Sequence, residues 1–100
     1  MTKQSPLAAA VLACLSMAGP TQAEDLHIKV IAATCVNCHG QGGQSLGAVP
    51  SLAGQDVAYL QTAMLEQRSG VRETTVMRRY MNGYTDTEIA KLAEHFSRLK

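Results

Sequence analysis

The chain has 100 residues, of which 46% are hydrophobic and only 4% aromatic, with no tryptophan. Nine lysines and arginines against eight aspartates and glutamates give a formal charge of +1, which argues against nucleic acid or an anionic membrane as the partner. A chain of this length forms one domain with a small core, so we expect it to need a further stabilising element.

The N-terminal segment predicts export. A basic start is followed by the uncharged apolar run Leu7–Gly19 and then by small residues around Ala23, which is the pattern of a cleaved signal peptide. This run is shorter than the about 20 residues that a membrane-spanning helix needs. We therefore predict a signal peptide over residues 1–23 and a mature periplasmic domain over residues 24–100 without a transmembrane segment. The alternative is lipid attachment at Cys14.

The first predicted helix covers residues 25–38. It begins with an acidic turn, which favours a helix N-terminus, and its side chains recur at helical spacing. We expect one side of this helix to carry Leu26, Val30, Ile31 and Thr34.

The helix ends in a Cys-x-x-Cys-His motif formed by Cys35, Cys38 and His39. A disulfide between the two cysteines would close a very short loop and stabilise little. A structural zinc ion needs four ligands, and neither His27 nor His95 stands at ligand spacing from the motif. Haem c fits better, because thiols three residues apart on a helix share one side and the next histidine can bind the iron. The macrocycle would also supply the bulk that the core lacks.

Glycines and caps delimit the elements that follow. Gly40 and the glycines after it end the first helix, and residues 44–54 form a loop. Asp56 is the predicted N-cap of a second helix that reaches Ser69 and stops at Gly70. We expect its apolar face to carry Val57, Leu60, Ala63 and Met64.

Two further helices are predicted after a polar loop. Residues 75–82 form a short helix that ends at Gly83, and residues 85–88 form a capping box that opens the last helix. The last helix should pack across the first helix and bury Phe96. No strand is predicted, so the fold is all-α. The apolar stripe of the last helix consists of Ile89, Leu92, Ala93, Phe96 and Leu99.

The second axial ligand of the iron decides between a carrier and an enzyme, because an open position permits chemistry on a substrate. Met64 continues an apolar helix face and is predicted to be core. Met77 follows a non-periodic loop and is the predicted ligand, with Met81, one turn further on, as the fallback. Arg72 either pairs with a haem propionate or lies on the surface. We predict that His27 and His95 are surface or capping residues, and that Arg78 and Arg79 form a solvated face.

Six stretches of the chain are informative together: ATCVNCHG (33–40), GAVPSLAGQ (47–55), YL (59–60), GVR (70–72), TVM (75–77) and GYTDTEI (83–89). They resemble class I c-type cytochromes, in particular the cytochrome subunit of flavocytochrome c sulfide dehydrogenase and the half-domains of cytochrome c4. The resemblance implies a small all-α fold wrapped around one covalent haem, with Met77 as axial ligand. It also implies that the Pro50 carbonyl accepts a hydrogen bond from His39. The relatives tend to carry small or aliphatic residues at the positions of Arg79-Tyr80-Met81.

Iron with two protein ligands has no place for a substrate, so the predicted function is one-electron transfer rather than catalysis by this chain alone. The resemblance implies an FAD-containing flavoprotein that oxidises sulfide as electron donor, and other redox proteins as acceptors. We expect the partner to bury apolar surface on segments 41–54 and 71–84. The alternatives are a freely diffusing carrier between respiratory complexes, and a haem enzyme or ligand sensor with labile methionine ligation.

Overall fold

The computed structural model describes residues 22–100, so almost all of the predicted signal peptide, and Cys14, lie outside the described residues. Within residues 22–100 the fold is all-α, as predicted, and contains no strand. None of the helices in this range is long and apolar enough to cross a bilayer. The elements in chain order are α1 (Gln22–His39), a single 3-10 turn (Gln41–Gly43), α2 (Val57–Ser69), α3 (Met77–Asn82) and α4 (Asp86–Ser97).

The predicted ends of α2 are confirmed, because short-range side-chain contacts set them. The Asp56 carboxylate accepts a hydrogen bond from the Tyr59 amide at 3.0 Å, which satisfies one of the free donors of the first turn. Gly70 ends the helix with φ +85°, a backbone conformation that favours glycine.

The predicted capping box of α4 is also confirmed. Thr85 Oγ1 accepts from the Glu88 amide at 3.1 Å, and Glu88 Oε1 accepts from the Thr85 amide at 2.9 Å. The short helix α3 begins at Met77, two residues later than predicted, and the Thr74 hydroxyl accepts from the amide of Arg78 at 3.2 Å.

The core lies where α1, α2 and α4 meet. The predicted stripe of α4 is confirmed, since Ile89, Leu92, Ala93 and Phe96 are buried and Leu99 packs against the core. The main apolar cluster consists of Ile28, Ile31 and Ala32 from α1, Leu60 from α2, and Leu92, Ala93 and Phe96 from α4.

The predicted inner face of α1 was largely wrong. Leu26 and Val30 are 61% and 60% exposed, and Thr34 is exposed as well. The core-facing residues are spaced i, i+3, i+4 and i+7, and begin at Ile28. Because a helix turns about 100° per residue, Leu26 and Val30 lie on roughly the opposite side from Ile28. Apolar residues stand on both sides of α1, so only the packing against α4 decides which side is buried.

Polar contacts also connect the helices near their ends. His27 of α1 lies on the surface, as predicted, with Nε2 2.6 Å from Glu88 Oε2 at the start of α4. Arg68 of α2 donates to the Tyr84 carbonyl at 3.0 Å and forms an ion pair with Asp86. These contacts hold the segment between α3 and α4 against the rest of the fold.

His95 on α4 is partly buried, with its ring edge-on to Phe96 at 5.1 Å between ring centroids. Burial lowers the pKa of His95, and the nearby positive charges of Lys29 and Arg98 lower it further. The imidazole therefore favours its neutral form and acts as a packing group.

Candidate functional site

The Cys-x-x-Cys-His motif lies at the C-terminal end of α1. His39 is the last helical residue, and the Gly40 amide closes the final turn by donating to the Val36 carbonyl at 2.9 Å. The two cysteines of the motif do not form a disulfide with each other. Cys38 is exposed, whereas Cys35 is half-buried with Sγ 3.6 Å from the Ile31 carbonyl oxygen. Burial raises the pKa of the Cys35 thiol, which therefore favours its neutral form against the core.

The His39 imidazole is buried and oriented by the backbone of the following loop. Only 6% of the residue is exposed, and Nδ1 lies 2.6 Å from the Pro50 carbonyl oxygen. Because a carbonyl only accepts, Nδ1 carries the proton and donates it, which leaves the Nε2 lone pair free for a metal ion. The contact that the family resemblance implied between these two residues is thus present in the fold.

The loop that presents the Pro50 carbonyl is tied to the backbone just after α1. The amides of Leu52 and Ala53 both donate to the Gly43 carbonyl, at 2.8 and 3.0 Å. Gly43 is buried with φ +74°, and a Cβ atom there would stand only 3.1 Å from the Ala53 nitrogen and 3.2 Å from Phe96 Cδ1. The absence of a side chain at Gly43 therefore permits the close packing that positions Pro50 over His39.

Two adjoining cavities, of about 40 and about 120 Å³, form one crevice beside the motif. Cys35, Met77 and Met81 line both cavities, the smaller one also reaches Cys38, and the larger one reaches His39. The walls are mainly apolar, with Leu60, Leu92 and Phe96 of the core on the inner side. The crevice therefore brings the two thiols, the imidazole and the two thioethers predicted for the site into one place.

The three methionines among residues 22–100 all line the larger cavity, but their burial differs. Met64 is half-buried and packs against the core, as predicted. Met81 is 1% exposed and is one of the largest fully buried side chains of the described fold. Met77, the first residue of α3, is half-buried and stands between the two cavities.

One polar residue of this crevice was not predicted from the sequence. Gln67 lines the larger cavity, and its Oε1 atom is buried without a hydrogen-bond partner. It continues the spacing of Leu60, Ala63 and Met64 by three more residues, so extending the predicted α2 face by one turn would have found it. Arg72 also lines the cavity and pairs with Glu66.

No group of three or more His, Cys, Asp or Glu side chains among residues 22–100 could hold a metal ion. The residues that the crevice does bring together, two thiols, one imidazole and thioethers around apolar walls, are those of a haem site with mixed nitrogen and sulfur ligation.

Comparison with known proteins identifies relatives of the same chemistry. The sequence model of the family described as Cytochrome c matches residues 28–100. Over 71 residues the chain is 38% identical to the cytochrome subunit of sulfide dehydrogenase from Chlorobaculum tepidum, a match that covers 71% of this chain and 64% of that protein. It is 37% identical over 68 residues to cytochrome c-554(548) from Halomonas halodenitrificans, covering 64% of this chain and 82% of the relative.

A further relative is the thiosulfate dehydrogenase electron acceptor from Stutzerimonas stutzeri, with 36% identity over 67 residues. That match covers 63% of this chain but only 31% of the relative. The chain therefore spans slightly less than two thirds of the sulfide dehydrogenase subunit and about a third of the thiosulfate dehydrogenase electron acceptor.

Proposed function

We propose that this chain, which belongs to the cytochrome c family, is the haem subunit that accepts electrons from a sulfide-oxidising flavoprotein. Family membership makes it an electron-transfer haem protein with covalently bound haem c. The finer assignment, to a sulfide-oxidising complex, is supported by the similarity to the cytochrome subunit of sulfide dehydrogenase.

In the proposed site, Cys35 and Cys38 would hold the haem through thioether bonds, and His39 and Met77 would bind its iron. The observation that carries this assignment is the hydrogen bond from His39 Nδ1 to the Pro50 carbonyl in the wall of the crevice. It leaves Nε2 as the ligating atom and fixes the plane of the imidazole ring. The crevice chemistry fits haem c, because both thiols and the thioether border the same apolar cavities.

The bound haem supplies reversible one-electron exchange at its iron. The residues of this chain set the reduction potential of the iron and keep water away from it. A methionine ligand favours the reduced state more than a second histidine would, so Met77 raises the reduction potential. The apolar side chains of the crevice exclude water, and two protein ligands leave no position for a substrate. These features support a carrier of single electrons, with the two-electron oxidation of sulfide assigned to the flavin of the partner.

The proposed docking face consists of the exposed sides of segments 41–54 and 71–84. Both segments contribute residues to the crevice or to its rim, and together they carry most of the exposed large hydrophobic side chains of the described fold. Exposed apolar side chains on segments that border a functional crevice are typical of protein interfaces. The exposed residues on this face are Leu46, Val49, Val71, Val76 and Tyr80.

We also propose that the protein acts in the periplasm. The support is the signal-peptide pattern of residues 1–23, with its basic start, short apolar run and small residues near Ala23. N-terminal sequencing of the protein from its source should then begin at Glu24.

A freely diffusing carrier is the second candidate. It is favoured by the similarity to cytochrome c-554(548) and to the thiosulfate dehydrogenase electron acceptor. In this case the same docking face would make brief contacts with several redox proteins.

The discriminating experiment follows haem reduction by sulfide, with and without the candidate flavoprotein. Reduction should be slow with the cytochrome alone, fast with the flavoprotein, and only mildly slowed by added salt, because an apolar interface depends little on charge. Leu46→Asp should weaken the complex and slow reduction. Leu26→Asp is the matched control, since Leu26 is also exposed but lies outside the docking face.

A cytochrome that binds no flavoprotein, and is reduced readily by a quinol-oxidising complex, would instead support the freely diffusing carrier. Rapid binding of carbon monoxide or cyanide by the native protein at neutral pH would contradict both candidates and indicate an open axial position.

A further inference from the structure

Charge is distributed unevenly in the wall of the haem crevice. Most of the lining is apolar, and Arg72 is the one lysine or arginine among the described residues of the larger cavity. The same residue lines an open outer cavity together with Glu73 and Arg78. Arg72 therefore stands at the boundary between the apolar crevice and solvent. Haem carries two propionate carboxylates, which need such a boundary because burying an unpaired charge is unfavourable.

The Arg72 guanidinium is held in place from one side. Its Nε and Nη2 atoms donate to Glu66 Oε2 at 3.2 and 3.1 Å, and its backbone amide donates to the Glu66 carbonyl at 3.2 Å. Within residues 22–100, the third guanidinium nitrogen, Nη1, makes no hydrogen bond. An arginine fixed by one carboxylate can present its remaining donors to a second one.

Gln67 supplies a second, independent observation at the same end of α2. Its Oε1 atom is buried and lacks a hydrogen-bond partner, and Gln67 lines the same cavity as Arg72. Buried polar atoms are almost always satisfied, so this one points to a ligand. A half-turn of the amide places the Nε2 donor in the position of Oε1, where it can donate to a carboxylate.

We propose that Arg72 and Gln67 bind a propionate carboxylate of the haem at the C-terminal end of α2, and that Glu66 positions the Arg72 guanidinium for this contact. The inference rests on the haem placement proposed above. The charged groups around the contact are Glu66 from α2, and Glu73 and Arg78 from the outer cavity.

The test uses the isolated holoprotein, so that no carboxylate of a partner protein is present, and measures the midpoint potential as a function of pH. A positive charge within about 4–6 Å lowers a carboxyl pKa by about 1–3 units. In Arg72→Gln the pH-dependent step in the potential should therefore move up by about one pH unit or more. A positive charge near the haem favours the less positive ferrous state, so the ratio of ferrous to ferric protein at a fixed potential and a pH below the step should also fall in Arg72→Gln.

Matched variants separate binding from general charge effects. Arg79→Gln removes an exposed arginine from α3 and should leave the step in place. Arg72→Lys and Gln67→Leu should each give a smaller upward move than Arg72→Gln, and they provide a test if Arg72→Gln does not fold. Glu66→Gln separates two effects of Glu66. Removing its negative charge alone would lower the propionate pKa, whereas releasing the Arg72 guanidinium would raise it. An upward move of the pH step in this variant therefore identifies the positioning role, and a downward move excludes it.

A step that stays at the same pH in Arg72→Gln and Gln67→Leu, with methionine ligation intact, overturns the inference and leaves the proposed function standing. Absence of covalent haem or of methionine ligation in the unmodified protein contradicts the haem placement itself, and the inference is then wrong with it.

Discussion

Met77 and Met81 lie one turn apart on α3 and both line the haem crevice, so alanine at each position separates iron ligation from packing. We expect Met77→Ala to abolish the weak near-infrared band that sulfur ligation gives to the ferric protein. The reduction potential should fall as well, because the thioether that favours the reduced iron is removed. Met81→Ala should keep the band.

The structure sets the size of the packing effect. Met81 is 1% exposed and lies under the crevice, whereas Met77 is only half-buried. Truncating a fully buried methionine to alanine costs about 2–5 kcal/mol of unfolding free energy, because the apolar contact is lost and a cavity remains. For a domain of this size, each kcal/mol shifts Tm by about 4–8 °C. Met81→Ala should therefore lower Tm by at least about 8 °C while methionine ligation persists.

The assay combines the near-infrared spectrum of the ferric protein, a potentiometric titration and thermal unfolding of each holoprotein. Met64→Ala is the control, because Met64 also lines the cavity and is half-buried, and it should keep the band. If Met81→Ala loses the band and Met77→Ala keeps it, the ligand is Met81 and the reasoning from the start of α3 is wrong. If the band survives in all three variants, none of these methionines binds the iron.

The remaining predictions concern attachment and acid stability. Denaturing gel electrophoresis with haem staining should show colour that migrates with the polypeptide, and colour at the dye front alone would contradict covalent haem. Cys35→Ala or Cys38→Ala should lose most of the folded protein. The hydrogen bond from the Thr85 amide, followed by the contact with His27, holds the pKa of Glu88 below its usual value of 4.5. Its carboxylate therefore stabilises the fold above about pH 4.5, and this contribution is lost as the pH falls through the lowered pKa. Glutamine can still accept from the Thr85 amide but cannot ionise. Urea midpoints at pH 6 and pH 3.5 should therefore differ less in Glu88→Gln than in the unmodified protein, and an equal difference would show that the charge of Glu88 does not contribute to acid stability.

The sequence was most informative where a structural feature depends on residues close together in the chain. Three helix ends were predicted correctly: the capping box of Thr85 and Glu88, the N-cap at Asp56, and the C-terminal stop at Gly70. Each depends on residues within about one helical turn of one another. The start of α3 at Met77 was predicted two residues too early, and the Thr74 side chain that takes up the Arg78 amide was not anticipated.

The sequence by itself determined the all-α class, the position of the Cys-x-x-Cys-His motif at the end of α1 and the choice of candidate methionines. These properties follow from helical periodicity, local caps and the spacing of a few reactive side chains. Only the tertiary structure decided that Ile28 rather than Leu26 faces the core, and that Gln67 and Arg72 line the same crevice. The physical reason is that burial depends on which helices pack together, and contacts between distant residues leave no fixed spacing in the chain.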